Sequence, residues 1–202
     1  MSGRTVAELV THLGRIAHGE GFVDDLTPAQ WSALRYFSGA NRFSRAPSAF
    51  AEYHGTTRGT ASQTIKSLVS QGYLIRRRSE ADGRSAHLDL TDKAKAILAD
   101  DPSLTLMQAA GALSTAARRH LANVLERMLG HVALEHGKRP FGMCISCAHL
   151  KGDGCCREGK PPYECGFLGE PLDEAELEQL CVNYEAGKAS AVKHAFSRAA
   201  LR

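Results

Sequence analysis

The chain has 202 residues, which is enough for one domain of ordinary size and an additional segment. Its hydrophobic content of 43% permits a buried core and argues against wholesale disorder, while the formal net charge is only +3. No apolar run approaches the ~18 residues that a membrane span needs, and the first residues lack the apolar segment of a signal peptide. We therefore expect a soluble, cytoplasmic protein with no membrane partner.

Positive charge is concentrated in the first two-thirds of the chain. Residues 1–139 contain 18 Lys and Arg against 13 Asp and Glu, whereas residues 140–202 contain 7 against 9. The basic excess is greatest over residues 35–84, and no acidic residue occurs between Arg58 and Arg78. A surface free of acidic groups is expected where a protein approaches a polyanion.

Several helices are predicted before the first strands. Apolar residues recur at helical spacing over residues 5–18, which predicts an amphipathic helix. Thr27 and Thr57 are suited to cap helices, and Gly55 and Gly72 are suited to end them. The predicted helical segments are 5–18, 26–38, 47–55 and 57–71, with a polar loop over 39–46.

A hairpin and two more helices follow. Two β-prone stretches, 74–78 and 86–90, flank an Asp-Gly turn signal, so they are predicted to pair as a hairpin. Thr91 begins a helix that Pro102 interrupts. Residues 115–135 form a longer predicted helix with one apolar side.

The outward face of the predicted 57–71 helix carries compact polar side chains rather than a mixture of Glu and Lys. Three helices followed by a hairpin with arginines on its first strand and tip are typical of a winged helix-turn-helix that binds DNA. A basic, solvated scaffold is the alternative interpretation. The predicted DNA-binding residues are Arg58, Thr60, Ser62, Gln63, Thr64, Lys66, Ser67, Arg76, Arg77 and Arg84.

The segments LTPAQWSALRYFS and TASQTIKSLVSQGYLIRRRSEADGRSAHLDLTDKA, with the flanking helices, resemble the multiple-antibiotic-resistance-regulator (MarR) family over residues ~5–135. The resemblance implies an obligate homodimer with intertwined terminal helices that binds double-stranded DNA at a palindromic operator. It also implies that Arg84 is the wing-tip arginine and that Asp82 holds the wing by pairing with an arginine. Because members commonly repress and release DNA on binding a ligand or an oxidant, we expect a repressor.

Dimerisation has independent support in the sequence. The predicted helices 5–18 and 115–135 are apolar on one side, and neither is needed to cover a small three-helix head. Each would expose a large apolar patch unless it paired with another chain.

All six cysteines of the chain lie in its last third. In a reducing compartment this clustering favours metal or redox chemistry over structural disulfides. The pair Cys144-x2-Cys147 can bring two thiolates to one ion, and a second pair is then needed. Cys165 precedes a turn, and Cys181 is predicted to end a helix over 173–185.

The spacing C-x2-C-x17-C-x15-C resembles small proteins that enclose a 4Fe–4S cluster, and a cysteine-bearing extension of some MarR regulators. This resemblance supplies the choice of four ligands, Cys144, Cys147, Cys165 and Cys181. The alternates are His149 and the adjacent Cys155 and Cys156, which lie in a polar, glycine-rich stretch. An iron–sulfur cluster, 4Fe–4S in type, is the predicted cofactor; zinc is the alternative, and metal-free thiol sensing stays open.

The sequence predicts a mainly α (α+β) chain with two domains and no catalytic site. Residues 1–136 form the predicted winged-helix and dimerisation domain, with its head at about 26–92, and residues 137–202 form the cysteine-rich extension. The motifs of common hydrolases and nucleotide-binding enzymes are absent, so we do not expect an enzyme. The predicted function is a dimeric regulator whose operator binding is modulated by the cluster or by thiol oxidation.

The alternative is a MarR-type regulator with a purely structural zinc site that responds to a small-molecule ligand. Such a ligand would need a pocket between the head and the dimerisation helices. An aromatic stripe at helical spacing is more typical of a core, and the core is the preferred interpretation here. The aromatic residues concerned are Trp31, Tyr36, Phe37 and Phe43.

Overall fold

A computed structural model describes residues 2–18, 26–78, 86–152 and 162–187 of the chain. It is mainly helical, with short strands, as the sequence predicts. In chain order the elements are α1 (Gly3–His18), α2 (Pro28–Gly39), a 3-10 turn (Arg42–Ser44), α3 (Pro47–Tyr53), α4 (Arg58–Ser70), β1 (Leu74–Arg78), β2 (Ala86–Leu90), α5 (Asp92–Leu98), α6 (Leu104–Gly111), α7 (Thr115–Glu135), β3 (Gly142–Met143), a second 3-10 turn (Cys144–Ser146), β4 (Leu150–Lys151), β5 (Tyr163–Cys165), β6 (Glu170–Leu172), α8 (Glu174–Leu177) and β7 (Leu180–Cys181).

The chain divides into two compact units. The first, the head unit, comprises Met1–Ser38 and Thr56–Val124, and the second, the cysteine unit, comprises Gly39–Gly55 and Leu125–Arg202. This division differs from the predicted boundary between residues 136 and 137, because the segment that contains α3 bonds to the cysteine-bearing residues. Whether residues 1–136 fold without the rest stays a prediction of the sequence.

The predicted helix starts are confirmed by their capping hydrogen bonds. The Thr27 hydroxyl accepts the Gln30 backbone N–H at 3.2 Å, and the Gln30 side-chain oxygen accepts the Thr27 N–H at 2.8 Å. Thr57 and Thr91 each accept a backbone N–H three residues further on, at 3.1 and 3.2 Å. Each cap satisfies donors that the first turn of a helix leaves without partners.

The predicted hairpin of the head unit is also confirmed. Strands β1 and β2 are antiparallel, with Leu74 opposite Leu90 and Arg78 opposite Ala86. The side chains of Leu74 on β1 and Leu88 on β2 are fully buried. Gly72, just before β1, has a φ of 75°, a conformation that favours glycine.

The aromatic stripe of α2 lies in the core of the head unit. Trp31, Tyr36 and Phe37 are at most 4% exposed. Helix α4 contributes Ile65 and Leu68, which are completely buried, and it packs against β1. These three residues are therefore core, as the preferred interpretation held. Phe43 is not part of the head core, because it is only partly buried and lies in the cysteine unit.

A buried ion pair joins α2 to the loop before α6. The Arg35 guanidinium donates to both carboxylate oxygens of Asp101 at 2.7 to 3.0 Å, and Asp101 is 4% exposed. Burial by itself raises the pKa of Asp101, but hydrogen bonds from Arg35 and Ser103 outweigh it, so the pKa lies below its ordinary value.

Replacing Asp101 with asparagine is expected to lower the free energy of unfolding by about 2–3 kcal/mol, because Arg35 would lose its anionic partner in a largely buried site. Since the folded-state pKa is depressed, the contribution of the carboxylate is complete above the ordinary value of 3.8 and is lost as the pH falls below it. Urea unfolding at pH 7 and at pH 3 measures both effects. Asp100→Asn, at the exposed neighbouring position, is the control and should change stability by less than about 0.5 kcal/mol.

The cysteine unit contains two small sheets and its own core. Strands β3 and β7 are antiparallel, and β4, β5 and β6 form a three-stranded antiparallel sheet. Phe43, from the first 3-10 turn, packs against the core from its edge. The buried core residues are Cys144, Tyr163, Cys165, Leu172, Leu177 and Cys181.

The predicted helix over 173–185 is wrong. Only α8 is helical in this region, and Cys181 lies on β7 rather than at the end of a helix. The helix start is correct, since Asp173 and Glu176 form a capping box. The helix ends early because Leu180 and Cys181 pair with β3, a contact between residues far apart in the sequence.

The helices in the described ranges were also compared with the requirements of a membrane span. None of them combines the length and the hydropathy that crossing a bilayer demands.

Candidate DNA interface and cysteine centre

Helix α4 has one buried side and one polar side. Its buried residues, Ala61, Ile65 and Leu68, follow the helical period. On the other side, Arg58, Thr60, Gln63 and Lys66 are exposed, and Ser62 and Thr64 are half-buried. The helix therefore presents the guanidinium, amide and ammonium groups that the sequence predicts for DNA binding.

Ser67 differs from the other predicted contacts on α4. Its hydroxyl oxygen accepts a hydrogen bond from the Gln30 side-chain amide at 3.0 Å, and another from Gln71 at 3.1 Å. Gln30 is buried in α2, so these bonds join two helices of the head unit. The structure gives Ser67 a role in packing, which the sequence analysis did not foresee.

The first wing strand carries exposed arginines. Arg76 and Arg77 are exposed on β1, and the Arg77 guanidinium lies 3.0 Å from the Asp89 carboxylate on β2. This cross-strand pair follows from the hairpin register, which the turn signal in the sequence could have revealed. Arg84 and Asp82 lie outside the described residues, so their predicted wing roles stay predictions.

Four cysteines lie together in the cysteine unit as free thiols. Cys144, Cys165 and Cys181 are buried, and Cys147 is half-buried. The Cys147 backbone N–H donates to the Cys144 carbonyl at 3.0 Å, which closes the C-x2-C turn. Strand pairing accounts for the other two, since β7 brings Cys181 opposite Gly142, and β5 places Cys165 beside β4.

The two most buried thiols are coupled to each other. The pKa of Cys181 is lowered to about 6, first because the Cys144 thiol donates a hydrogen bond to it. Burial raises the pKa of Cys181, while the Asn41 side chain, the Asn183 backbone and the Ser44 side chain lower it further. The same hydrogen bond raises the pKa of Cys144, and burial raises it further.

Cys144, Cys165 and Cys181 belong to one buried core, and Cys147 lies in the turn that follows Cys144. Within residues 2–18, 26–78, 86–152 and 162–187, no three His, Cys, Asp or Glu side chains are arranged to hold a metal ion. His149, an alternate ligand, instead places its Nε2 3.1 Å from the Glu185 carboxylate. The other alternates, Cys155 and Cys156, lie outside the described residues.

The element order and the wing define a winged-helix domain. A model of the MarR family matches residues 24–85. Residues 24–85 are therefore similar in sequence to the MarR family. No curated protein matches the chain.

Several solved structures are similar to this chain, and that of SlyA shares its fold. The transcriptional regulator SlyA is 21% identical, with a TM-score of 0.50 over 64% of this chain and 95% of SlyA. A MarR transcriptional regulator from Methanosarcina mazei Go1 is 22% identical, with a TM-score of 0.45 over 66% of this chain and 96% of its own. Streptococcus pneumoniae FabT in complex with DNA is 21% identical, with a TM-score of 0.47 over 67% and 98%. About a third of this chain lies outside each similarity.

Proposed function

We propose that this protein is a dimeric, cytoplasmic transcriptional regulator, a repressor that binds a palindromic double-stranded operator. Its operator affinity changes with the occupancy of a cysteine-ligated iron–sulfur cluster. The observation that carries this proposal is the composition of the cysteine unit, in which four thiols lie in the same compact unit as α3 of the winged helix.

Support for DNA binding comes from the chemistry of α4 and the wing. Arg58 and Lys66 can neutralise phosphates, and the Gln63 amide can bind a base edge. Arg76 and Arg77 add positive charge on β1. The segment from Arg58 to Arg78 contains no acidic residue, although Asp89 of β2 pairs with Arg77.

Support for a homodimer comes from the apolar faces of α1 and α7. Leu9, Leu13 and Ile16 of α1 are 46–52% exposed, although they repeat at helical spacing. None of the 21 residues of α7, which is described over its whole length, is buried. A second copy of the chain would remove both faces from water.

The cysteine centre consists of Cys144, Cys147, Cys165 and Cys181. Its thiols are chemically suited to bind a thiophilic metal or cluster, although in the described residues they are not arranged around a metal position. Four free thiols, three of them buried, would supply the ligands, and these are Cys144, Cys147, Cys165 and Cys181. When bound, an iron–sulfur cluster supplies redox chemistry that responds to oxygen and to iron supply. This chain's residues would fold around it, so that gain or loss of the group changes their order.

Zinc is the second candidate, and one observation favours it. Besides the C-x2-C turn, Cys165 begins a second tight turn in which the Gly169 N–H donates to the Cys165 carbonyl at 2.7 Å. Cysteines held in turns beside short strands suit the closed, four-thiolate arrangement of a structural zinc site. In that case the site braces the unit, and a small-molecule ligand would be the signal.

The proposal is tested on anaerobically purified protein. We expect a brown protein with ~4 iron and ~4 sulfide per chain. A duplex selected from a random library should bind the loaded and the cluster-free protein with affinities that differ by about 10-fold or more at fixed salt, measured by fluorescence anisotropy. A colourless protein with ~1 zinc per chain would favour the second candidate. Equal affinities of the loaded and cluster-free forms would overturn the regulatory part.

A further inference from the structure

The turn before α3 is buried in the cysteine unit, although its sequence is polar. Asn41 and Ser44 are completely buried, and they are two of the four buried polar residues in the described ranges. The sequence predicts a solvent-exposed polar loop over 39–46. Buried polar groups require hydrogen-bond partners, so the partners of this turn define its role.

Those partners are the thiols and strand β7. The Asn41 side-chain amide donates to the Cys144 sulfur at 3.5 Å, and the Asn41 backbone N–H donates to the Leu180 carbonyl at 2.9 Å. The Ser44 hydroxyl lies 2.6 Å from the Asn41 side-chain oxygen, and it accepts the Val182 N–H at 3.0 Å. Asn41 and Ser44 therefore form one buried network with the residues on both sides of Cys181.

A second set of contacts holds the same turn from outside. The Arg42 guanidinium donates to the Glu176 carboxylate, and to the Pro171 carbonyl at 2.6 Å. Further along, the Tyr53 ring at the end of α3 meets the Phe141 ring at 5.1 Å, edge to face. Arg42 anchors the turn without contacting a thiol, which provides a control for the role of Asn41 and Ser44.

We propose that Asn41 and Ser44 are positioning residues for the Cys144 and Cys181 thiolates, and that through them residues 39–53 become more ordered when the cysteine centre binds metal. This inference rests on the proposed function, since it presumes that the centre binds a metal or a cluster.

The physical reason is the charge on sulfur. A metal-bound cysteine is a thiolate and accepts N–H and O–H donors more strongly than a protonated thiol does. Loading therefore strengthens the bond from Asn41 to Cys144, and by thermodynamic reciprocity that bond strengthens metal binding. Ser44 acts through its hydrogen bond to the Asn41 side-chain oxygen and through the Val182 N–H beside Cys181. Helix α3 begins at Pro47, directly after this turn, and α4 begins at Arg58. Residues 39–53, which contact the thiols, therefore lead along the chain directly to α4, the predicted recognition helix.

The first test measures metal affinity with cobalt(II), whose thiolate charge-transfer absorption reports cysteine ligation. Asn41→Asp removes the amide donor, and Ser44→Ala removes the hydroxyl. Each is expected to weaken cobalt binding by about 10- to 100-fold in competition with a chelator. Arg42→Gln, which releases the outer anchor only, should weaken it by less than about 3-fold. An equal loss in all three variants would overturn the positioning role.

The second test needs no substitution in the turn. Hydrogen exchange of the peptide amides of residues 39–53 is compared in the native chain with and without cobalt, and exchange is expected to slow by about 10-fold or more on loading. Cobalt binding with unchanged exchange would overturn this inference and leave the metal site standing. If the native chain bound neither cobalt, zinc nor a reconstituted cluster, the metal part of the proposed function would fall, and this inference with it.

Discussion

Replacing Cys181 with serine is expected to abolish retention of an iron–sulfur cluster and to weaken cobalt binding by about 100-fold or more. Cys181 is 4% exposed, lies on β7, and has a lowered pKa because the Cys144 thiol donates to it. Serine preserves the size of the side chain, but its hydroxyl does not ionise near neutral pH and cannot replace a thiolate ligand. Iron and sulfide analysis of the anaerobically purified variant measures the effect.

Cys156, which directly follows Cys155 in the sequence, provides the matched control. Cys156→Ser also removes one thiol from the chain, but from the glycine-rich stretch that the sequence analysis set aside. We expect it to retain the metal content of the native protein. If Cys156→Ser lost the metal and Cys181→Ser kept it, the proposed set of four ligands would be wrong, although a metal function would survive.

The second large effect is expected on DNA affinity. The double substitution Arg58→Ala with Lys66→Ala removes two exposed cations from α4, and should weaken binding to a selected duplex by about 100-fold at 0.1 M salt. Each lost phosphate contact also lowers the slope of log K against log salt by about 0.9. Anisotropy titrations at several salt concentrations measure both quantities.

A charge-matched variant separates local contacts from net charge. Arg4→Ala with Lys95→Ala removes two cations from α1 and α5, where they pair with Glu8 and Asp92. We expect its DNA affinity to fall by less than about 3-fold, because these residues lie on other helices. A comparable loss in both double variants would mean that α4 has no special role in DNA binding.

Local signals in the sequence were sufficient for most of the winged-helix region. Helix α7 begins and ends at the predicted residues 115 and 135, and both wing strands lie at their predicted positions. These elements are specified by caps, turn residues and apolar periodicity, which act over a few residues.

The cysteine unit depended on contacts that no local pattern encodes. The strand at Leu180 and Cys181 exists because it pairs with β3, about forty residues earlier in the chain. The loop over 39–46 has a polar composition, so nothing in that composition distinguishes buried Asn41 and Ser44 from solvated side chains. Only the fold brings these residues to the thiols.

The discontinuous make-up of the cysteine unit has a consequence for its modularity. Because Gly39–Gly55 belongs to this unit, the C-terminal segment is not a self-contained module that could be exchanged between relatives. A chimera that grafted only residues 137–202 onto another regulator would lack Asn41, Arg42 and Ser44, and with them the contacts made by the host loop.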